Sequence, residues 1–500
     1  MSEMKEKDLA GDVTRATVRA SMWTVAARWA VRGLSLASTI ILARLLAPSD
    51  FGTLVVAILV AGLLDACSQF GFNELLIQKQ TDDEAYYHTA WTLNAIRGLL
   101  IFLILVLIAP SAAAFMNEPN ATGLIYAVSF ISLLDGFGST KIITIQRDFK
   151  FSIYFTLQTA EKVLTFILTI GAAYVLHSYY AFAFGLVAGG IFRLVTSYIV
   201  APMKIRLSFL HFGEVFQFSR WIIASNILLY FSQNWDAAIV GKNLSADQLG
   251  LYKVSKDIAI IPAAETMGPL SVALFPAFAH LRNDIEGMRT LFYRWQSATH
   301  YILIPAIVGI ALTANELVPV MLGDKWLAAT LSIKIVSIAY AVNVFWLWPT
   351  PIYSAIGRPN LALYERVISV LAVLVMVTLG VYYFGLLGAS SALIAANIIT
   401  ASAQYVMLRR IMKISIQETF VQNWRAYVGL AALIVAVQSV AGPQNAVLLL
   451  SLKVVIGVLV YAAVCFLLWL LRGRPSGFEA LALDLSAKFF TRLGLRPRAL

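Results

Sequence analysis

The chain has 500 residues, of which 60% are hydrophobic and only 13% are charged. A soluble domain carries about 25% charged residues, so this composition excludes a soluble protein and predicts an integral membrane protein. The net charge of +11 would be compatible with binding to nucleic acid if the cations had no other role. Two cysteines are too few for a disulfide framework, and five histidines form no cluster with ligand spacing. The sequence therefore predicts no metal site and no cofactor.

Fourteen apolar stretches are each long enough, at about 20 residues, to cross a hydrocarbon core as a helix. The eighth contains Pro262, Pro269 and Pro276, which predict a kinked helix. The predicted fold class is all-α, a polytopic membrane protein with about fourteen transmembrane helices. The expected spans are 23–46, 52–74, 90–109, 122–139, 152–175, 180–202, 220–240, 254–279, 296–314, 328–351, 364–384, 387–407, 424–441 and 447–471.

The cations are distributed unevenly between the two ends of these spans. If cations at span ends are counted with the adjoining loops, 26 of the 38 lie on the side of the N-terminus, 4 on the other side and 8 within spans. Short loops that are rich in Lys and Arg stay in the cytoplasm, so both termini are predicted to be cytoplasmic. This asymmetry explains the net charge, and no nucleic acid partner is expected.

The chain contains a weak internal repeat. A shift of 198 positions places Ser21–Gly52 on Ser219–Gly250 without a gap, with Gly52 falling on Gly250. Each repeat then holds six spans, and an even number predicts two lobes related by an axis along the membrane normal. The expected domains are a cytoplasmic segment 1–20, lobes 21–205 and 206–412, an additional helix pair 413–471, and a basic amphipathic tail 472–500 lying on anionic lipid.

Ionisable residues within the spans are costly in lipid and indicate a cavity or an internal partner. Arg28 and Arg32 are four positions apart in the first span, so their guanidinium groups share one helix face. Such a pair suits phosphate or pyrophosphate, which arginine binds bidentately. For any single arginine the alternative is snorkelling, or an ion pair with Asp65 or Glu161. The predicted cationic cavity comprises Arg28, Arg32, Arg193 and Lys256, and the acids predicted for ion coupling or internal pairing are Asp65 and Asp236.

Several segments carry a resemblance to a known family. Over about residues 20–470, the chain resembles the Wzx-type oligosaccharide flippases of the polysaccharide transporter family, in particular the colanic-acid and succinoglycan type. One segment, LARLLAPSDFG from Leu42, is shared more widely, with drug antiporters and lipid II flippases of the same superfamily. The segments are LARLLAPSDFG from Leu42, DACSQFGFNELLIQK from Asp65, IQRDFKF from Ile145, ALFPAFAHLRNDIEGMRTLFYR from Ala273 and MLGDKW from Met321.

The resemblance implies two MATE-like lobes around a central cavity. It also implies a substrate, an oligosaccharide repeat unit on undecaprenyl pyrophosphate, which is flipped across a bacterial inner membrane for exopolysaccharide or lipopolysaccharide synthesis. Membrane lipid is a further partner, and a polysaccharide polymerase and co-polymerase are expected as well. Arg28 and Arg32 have no match in the colanic-acid type, so their role depends on the charge argument. The matching family positions are Asp65, Gln146, Arg193 and Pro276.

Two other functions stay open at this stage. A cation-coupled drug antiporter needs an acidic cavity and usually has twelve helices, whereas this chain has surplus cations and fourteen predicted spans. A membrane polysaccharide polymerase needs a catalytic loop or a cluster of reactive side chains, and the predicted outer loops are short. The residues favour the flippase, which makes and breaks no bond and is not an enzyme.

Overall fold

The computed structural model of the chain describes residues 31–79, 83–148, 150–346, 349–442, 445–474 and 477–479. Within these ranges all regular structure is helical. Eight of the described helices are long and apolar enough to cross a membrane, and a ninth span results if the bent pair Ala121–Gly136 and Thr140–Arg147 is counted as one. The all-α membrane class is confirmed, whereas the number of fourteen spans stays a prediction.

The chain divides into two compact units, Met1–Gly250 and Leu251–Leu500. The helices up to the division are α1 (described over 31–45), α2 (Pro48–Ser68), α3 (Phe72–Lys79), α4 (Glu84–Phe115), α5 (Ala121–Gly136), α6 (Ile143–Arg147), α7 (Phe151–Leu176), α8 (Tyr180–Val200), α9 (Phe212–Asn243) and α10 (Ala246–Ala259), which crosses it. The second unit continues with α11 (Ile261–His280), α12 (Ile285–Met321), α13 (Ala329–Asn343), α14 (Thr350–Ala355), α15 (Asn360–Met412), α16 (Ile416–Ser439) and α17 (Ala446–Leu471). The predicted segment 1–20 and the tail from residue 480 onward lie outside the described residues.

Polar side chains mark where two of the long helices begin. The Asp83 carboxylate accepts a hydrogen bond from the amide of Ala85 at 2.9 Å at the start of α4. The Asn445 amide oxygen accepts from the amide of Val447 at 3.0 Å at the start of α17. The first amide groups of a helix have no partner within it, so a short polar side chain at this position stabilises the end.

The eighth predicted span is divided between two helices. Helix α10 ends at Ala259, and α11 begins at Ile261 with Pro262 in its first turn. Proline has no amide hydrogen and fits the first turn of a helix, where no intrahelical partner is lost. The chain therefore starts a new helix at Ile261, with Pro262 in its first turn, where the sequence predicted a kink.

Helix α15 reverses direction at Gly385, whose φ of +58° and ψ of −135° are non-helical. A Cβ atom added to Gly380 would lie 2.3 Å from the carbonyl oxygen of Gly388, and one added to Gly388 would lie 1.8 Å from that of Gly380. In a straight helix these residues would be about 12 Å apart along the axis. The two arms therefore fold back on each other, and they correspond to the predicted spans 364–384 and 387–407.

The interior of the second unit is largely aromatic where α11, α12 and α14 meet. Phe278, Phe292 and Tyr353 are fully buried there.

Helices α16 and α17 pack against α12. Lys453 on α17 donates to Glu316 on α12 at 2.6 Å, with 13% and 12% of the two side chains exposed. Pairing offsets the cost of each charge at membrane depth, so this ion pair fixes α17 to α12.

Candidate functional site

Glycines bring two pairs of helices in the first unit into close contact. A Cβ atom added to Gly98 on α4 would lie 2.8 Å from the Cα atom of Gly136 on α5, and one added to Gly136 would lie 2.8 Å from the carbonyl oxygen of Asn94. On α8, a Cβ atom added to Gly189 would lie 2.5 Å from Oγ1 of Thr165 on α7. Small residues allow such close approach, so side chains beside these glycines reach across to the neighbouring helix.

Two clusters of charged residues lie beside these contacts. Arg97 on α4, next to Gly98, donates to Oδ1 of Asp65 on α2 at 2.9 Å. Arg193, one turn after Gly189 on α8, donates to Oδ2 of Asp135 on α5 at 3.1 Å. Its second terminal nitrogen lies 3.2 Å from Oε1 of Glu161 on α7. Both arginines are therefore paired across helix boundaries.

Two amide side chains extend these clusters and join them. Arg97 Nε donates to Oδ1 of Asn94 at 3.1 Å, and Asn94 Nδ2 donates to the backbone carbonyl of Asp135 at 3.2 Å. Gln69 Nε2 donates to Oδ2 of Asp65 at 2.6 Å. The result is one continuous set of contacts across α2, α4, α5, α7 and α8. We call it the unit 1 network, and it comprises Asp65, Gln69, Asn94, Arg97, Asp135, Glu161 and Arg193.

The network contains three carboxylates and two guanidinium groups, and its two arginines differ in exposure. Only 12% of the Arg97 side chain is exposed, against 48% for Arg193. An ionised side chain at the centre of a membrane helix costs about 2.5–3.5 kcal/mol on insertion scales, and pairing offsets this cost for Arg97. Arg193 keeps much of its surface accessible while it holds two carboxylates. It is therefore the arginine of the network that is best placed to contact a ligand.

The structure places the remaining predicted residues elsewhere. Arg28 lies outside the described residues, and Arg32 is half-buried in α1. Asp236 is buried on α9. Lys256 is half-buried on α10 within the second unit, with Nζ 5.8 Å from the centre of the Tyr252 ring. The unit 1 network brings together two of the predicted residues, Asp65 and Arg193.

Two further family positions lie outside this network. Gln146 is half-buried in the short helix α6, and its neighbour Arg147 donates to the hydroxyl of Tyr87 at 3.1 Å. Pro276 is exposed on α11 in the second unit. In the parts of the chain that the structure describes, no group of three His, Cys, Asp or Glu side chains is arranged to hold a metal ion.

Sequence reasoning noted the charges within spans but did not assign most members of the network to a site. Arg97 and Asp135 were not expected to act together with Asp65 or Arg193. One signal could have found them: each directly precedes a glycine, Gly98 or Gly136, in two successive spans. A charge next to a small residue in a membrane helix is well placed to meet a partner on the adjacent helix.

Comparisons with known proteins give a consistent result. A family model described as "Polysaccharide biosynthesis protein" matches residues 41–331. The lipopolysaccharide biosynthesis protein WzxC of Escherichia coli (strain K12) is 24% identical over 431 residues, which cover 84% of this chain and 87% of that protein. The succinoglycan biosynthesis transport protein ExoT of Rhizobium meliloti (strain 1021) is 22% identical over 307 residues, which cover 61% of this chain and 62% of that protein.

Solved structures are similar in fold. A structure of the lipid II flippase MurJ in an inward closed conformation has a TM-score of 0.73 at 12% identity, covering 90% of this chain and 98% of that chain. An inward-facing multidrug resistance transporter of the MATE family has a TM-score of 0.56 at 13% identity, covering 76% of this chain and 94% of that chain. The MATE-like fold predicted from the sequence is therefore confirmed.

Proposed function

The chain belongs to the polysaccharide biosynthesis protein family, and we propose that it flips a polyprenyl-pyrophosphate-linked oligosaccharide repeat unit across the membrane. The flipped unit would serve exopolysaccharide or lipopolysaccharide synthesis; the relatives in Escherichia coli and Rhizobium meliloti are named for lipopolysaccharide and succinoglycan biosynthesis. The protein is a transporter and not an enzyme, because flipping changes no covalent bond. The single observation that carries the proposal is a charged network with a half-exposed arginine inside a bundle of apolar helices.

This arrangement suits the chemistry of the cargo. A pyrophosphate with its sugars is too polar to cross a hydrocarbon core unaided, since every polar group would lose its hydrogen bonds to water. A protein that carries it needs charged and hydrogen-bonding groups at membrane depth, and the unit 1 network supplies them. The prenyl tail can stay in lipid throughout.

We propose that Arg193 takes part in binding by exchanging partners. Its guanidinium group holds Asp135 and Glu161 at 3.1 and 3.2 Å. A pyrophosphate oxygen pair can replace these carboxylates in the same bidentate geometry. Displaced carboxylates would then need a proton or a cation, which would link binding to an ion. In this proposal the other cavity cations are Arg28, Arg32 and Lys256, and the coupling or pairing acids are Asp65 and Asp236.

The finer aspects of location and organisation are also proposals. The protein is a multi-pass membrane protein of a bacterial polysaccharide family, and we infer that it lies in the inner membrane with both termini in the cytoplasm. The 26 to 4 division of cations supports this orientation. Two repeats over 21–205 and 206–412, with an additional pair over 413–471, stay predictions. A polymerase and co-polymerase are proposed as the partners that receive the flipped unit.

Reconstitution tests the transport proposal directly. Purified protein is placed in vesicles with a fluorescent undecaprenyl-pyrophosphate oligosaccharide, and a membrane-impermeant reductant destroys the label in the outer leaflet. Wild type should expose nearly all of the label, whereas protein-free vesicles retain the inner half. Arg193→Gln should slow the exchange about tenfold or more, because a charge-assisted bidentate contact is lost, and Arg193→Lys should restore only part of the rate. Wild type that exchanges label no faster than empty vesicles would contradict the proposal.

The control variant is Arg410→Gln, which removes an exposed cation from the end of α15. It should exchange the label at the wild-type rate, because Arg410 is an exposed residue of the second unit that is not part of the unit 1 network. A rate that falls as much as in Arg193→Gln would indicate a general effect of charge, and the assignment of Arg193 would fail.

One observation favours the antiporter alternative. The unit 1 network has one more carboxylate than guanidinium groups, and a net negative site attracts organic cations. The same vesicles distinguish the two functions when they hold ethidium and an imposed pH gradient. Movement of ethidium without movement of the lipid-linked oligosaccharide would assign the chain to drug transport.

A further inference from the structure

The second unit contains a cavity of about 800 Å³ at the end where α12 and α16 begin and α17 ends. One face of α12 lines it over about four turns, from Glu286 to Tyr301, and one face of α16 lines it over about two turns, from Glu418 to Arg425. Phe478, which follows α17, closes it. The cavity thus lies where three apolar helices leave the membrane.

Two ion pairs contribute side chains to the lining of this cavity. Arg425 Nε lies 2.9 Å from Oε1 of Glu479, and only 7% and 8% of these side chains are exposed. The Tyr301 hydroxyl donates to the same carboxylate at 2.8 Å. Arg289 pairs with Glu418. Each of these arginines has a carboxylate partner, so the two ion pairs give the cavity a fixed shape and leave little charge to spare.

Two arginines of the lining are not neutralised in this way. Neither Arg294 nor Arg472 has a carboxylate partner among the described residues, and both side chains are exposed. The Arg472 guanidinium lies 5.7 Å from the centre of the Trp424 ring, which orients it by a cation–π contact. A pair of accessible guanidinium groups at the rim of a polar cavity is suited to an oxyanion, above all to phosphate.

The surroundings indicate that the phosphate belongs to a lipid. Beside the cavity, Val421 on α16 and Leu471 at the end of α17 are 60% and 75% exposed. Val421 precedes the predicted span 424–441 and Leu471 ends the predicted span 447–471, so we expect both at the depth of lipid headgroups. A ligand held there can place its phosphate on the arginines and its acyl chains along these apolar side chains. A soluble phosphate compound would leave the apolar flank uncovered.

We propose that this cavity binds the phosphate headgroup of an anionic membrane lipid, with Arg294 and Arg472 as the residues that contact the phosphate. The site belongs to the second unit and shares no residue with the unit 1 network. It stands independently of the transport function, since it depends only on the cavity, its charges and its position. Lipid bound there bridges α12, α16 and the segment after α17.

Native mass spectrometry of the full-length protein tests the proposal. The protein in detergent is mixed with equal amounts of phosphatidylglycerol and phosphatidylcholine, and the bound lipid is counted. Wild type should retain phosphatidylglycerol preferentially. The double variant R294Q/R472Q should bind it about tenfold more weakly or worse, because two charge-assisted contacts are lost. The matched control R358Q/R410Q removes two exposed cations from the same end of the unit, outside the cavity, and should bind as wild type does.

Three results would overturn the proposal. The first is equal retention of phosphatidylglycerol by R294Q/R472Q and wild type. The second is equal loss in the control, which would indicate a general charge effect. The third is binding of inorganic phosphate alone that requires both arginines while phosphatidylglycerol does not bind, since the site would then serve a soluble anion. Both substituted side chains are exposed, so R294Q/R472Q should unfold at the wild-type temperature, and its folding is checked by this measurement.

Discussion

Gly52 and Gly250 pack reciprocally against the start of each other's helix. A Cβ atom on Gly52 would lie 1.8 Å from the carbonyl oxygen of Ala246, and one on Gly250 would lie 1.9 Å from the carbonyl oxygen of Pro48. A shift of 198 positions converts each residue of one contact into a residue of the other. The contact therefore has local two-fold symmetry, and only glycine leaves room for the backbones at its centre.

Replacing either glycine should disrupt this contact. In Gly52→Ala or Gly250→Ala, the new methyl group would overlap a backbone carbonyl, so α2 and α10 would have to separate. Overpacking of this kind costs about 1–3 kcal/mol or more. We expect a lower melting temperature and less folded protein on fluorescence-detected size-exclusion chromatography. Gly171→Ala is the matched control, because nothing lies within 4 Å of that position, and it should leave both readouts unchanged. Normal yields of both variants would refute the contact.

The Asp65–Arg97 ion pair should stabilise the fold in addition to supplying charged groups to the unit 1 network. Asp65→Ala leaves the mostly buried Arg97 guanidinium with Asn94 as its hydrogen-bond partner in the network. A fully buried pair broken in this way costs about 3–5 kcal/mol, and we expect about 1–2 kcal/mol here because 39% of the Asp65 side chain is exposed. Thermal unfolding of the purified protein measures this cost.

The double variant Asp65→Ala/Arg97→Leu separates pairing from other roles of Asp65. Removing both charges should recover most of the lost stability, since no unpaired guanidinium stays at membrane depth. A double variant that is less stable than the single one would mean that Arg97 has another carboxylate to bind when Asp65 is absent. That result would also redefine the network.

We expect Glu479 to contribute strongly to the stability of the second unit. Its carboxylate is buried and meets Arg425 and Tyr301. Glu479→Ala leaves the Arg425 charge buried without its partner, which costs about 3–5 kcal/mol. Glu286→Ala is the control, because 79% of that side chain is exposed, and it should change the melting temperature little. Equal melting temperatures for the two variants would exclude a structural role for Glu479.

Reporter fusions test the predicted orientation. A reporter that is active only in the cytoplasm is placed at successive loops, and the 26 to 4 division of cations determines the expected pattern. A cytoplasmic signal at an outer site, or its absence at an inner one, would change the number of spans before that position. Cytoplasmic signals are expected after Lys79, Arg147, Arg282 and Arg410, and periplasmic signals near Asn117, His177, Asp324 and Gly442.

Hydropathy predicts where helices lie in this chain better than it predicts which residues meet. The spans 364–384 and 387–407 match the two arms of α15, because an apolar run that long must reverse and Gly385 permits it. Hydropathy does not give the rotation of a helix about its axis. Asp65 and Arg193 were therefore recognised as site residues, whereas Arg97 and Asp135 were not. Their partners are fixed by the close approach at Gly98 and Gly136.

The reversal at Gly385 also has a mechanical consequence. The two arms of α15 are joined by one non-helical residue and touch backbone to backbone at Gly380 and Gly388. With no slack in the connection and no side chains between the arms at this contact, neither arm can slide or rotate without the other. We therefore expect the two arms of α15 to move together as one rigid body in any transport cycle.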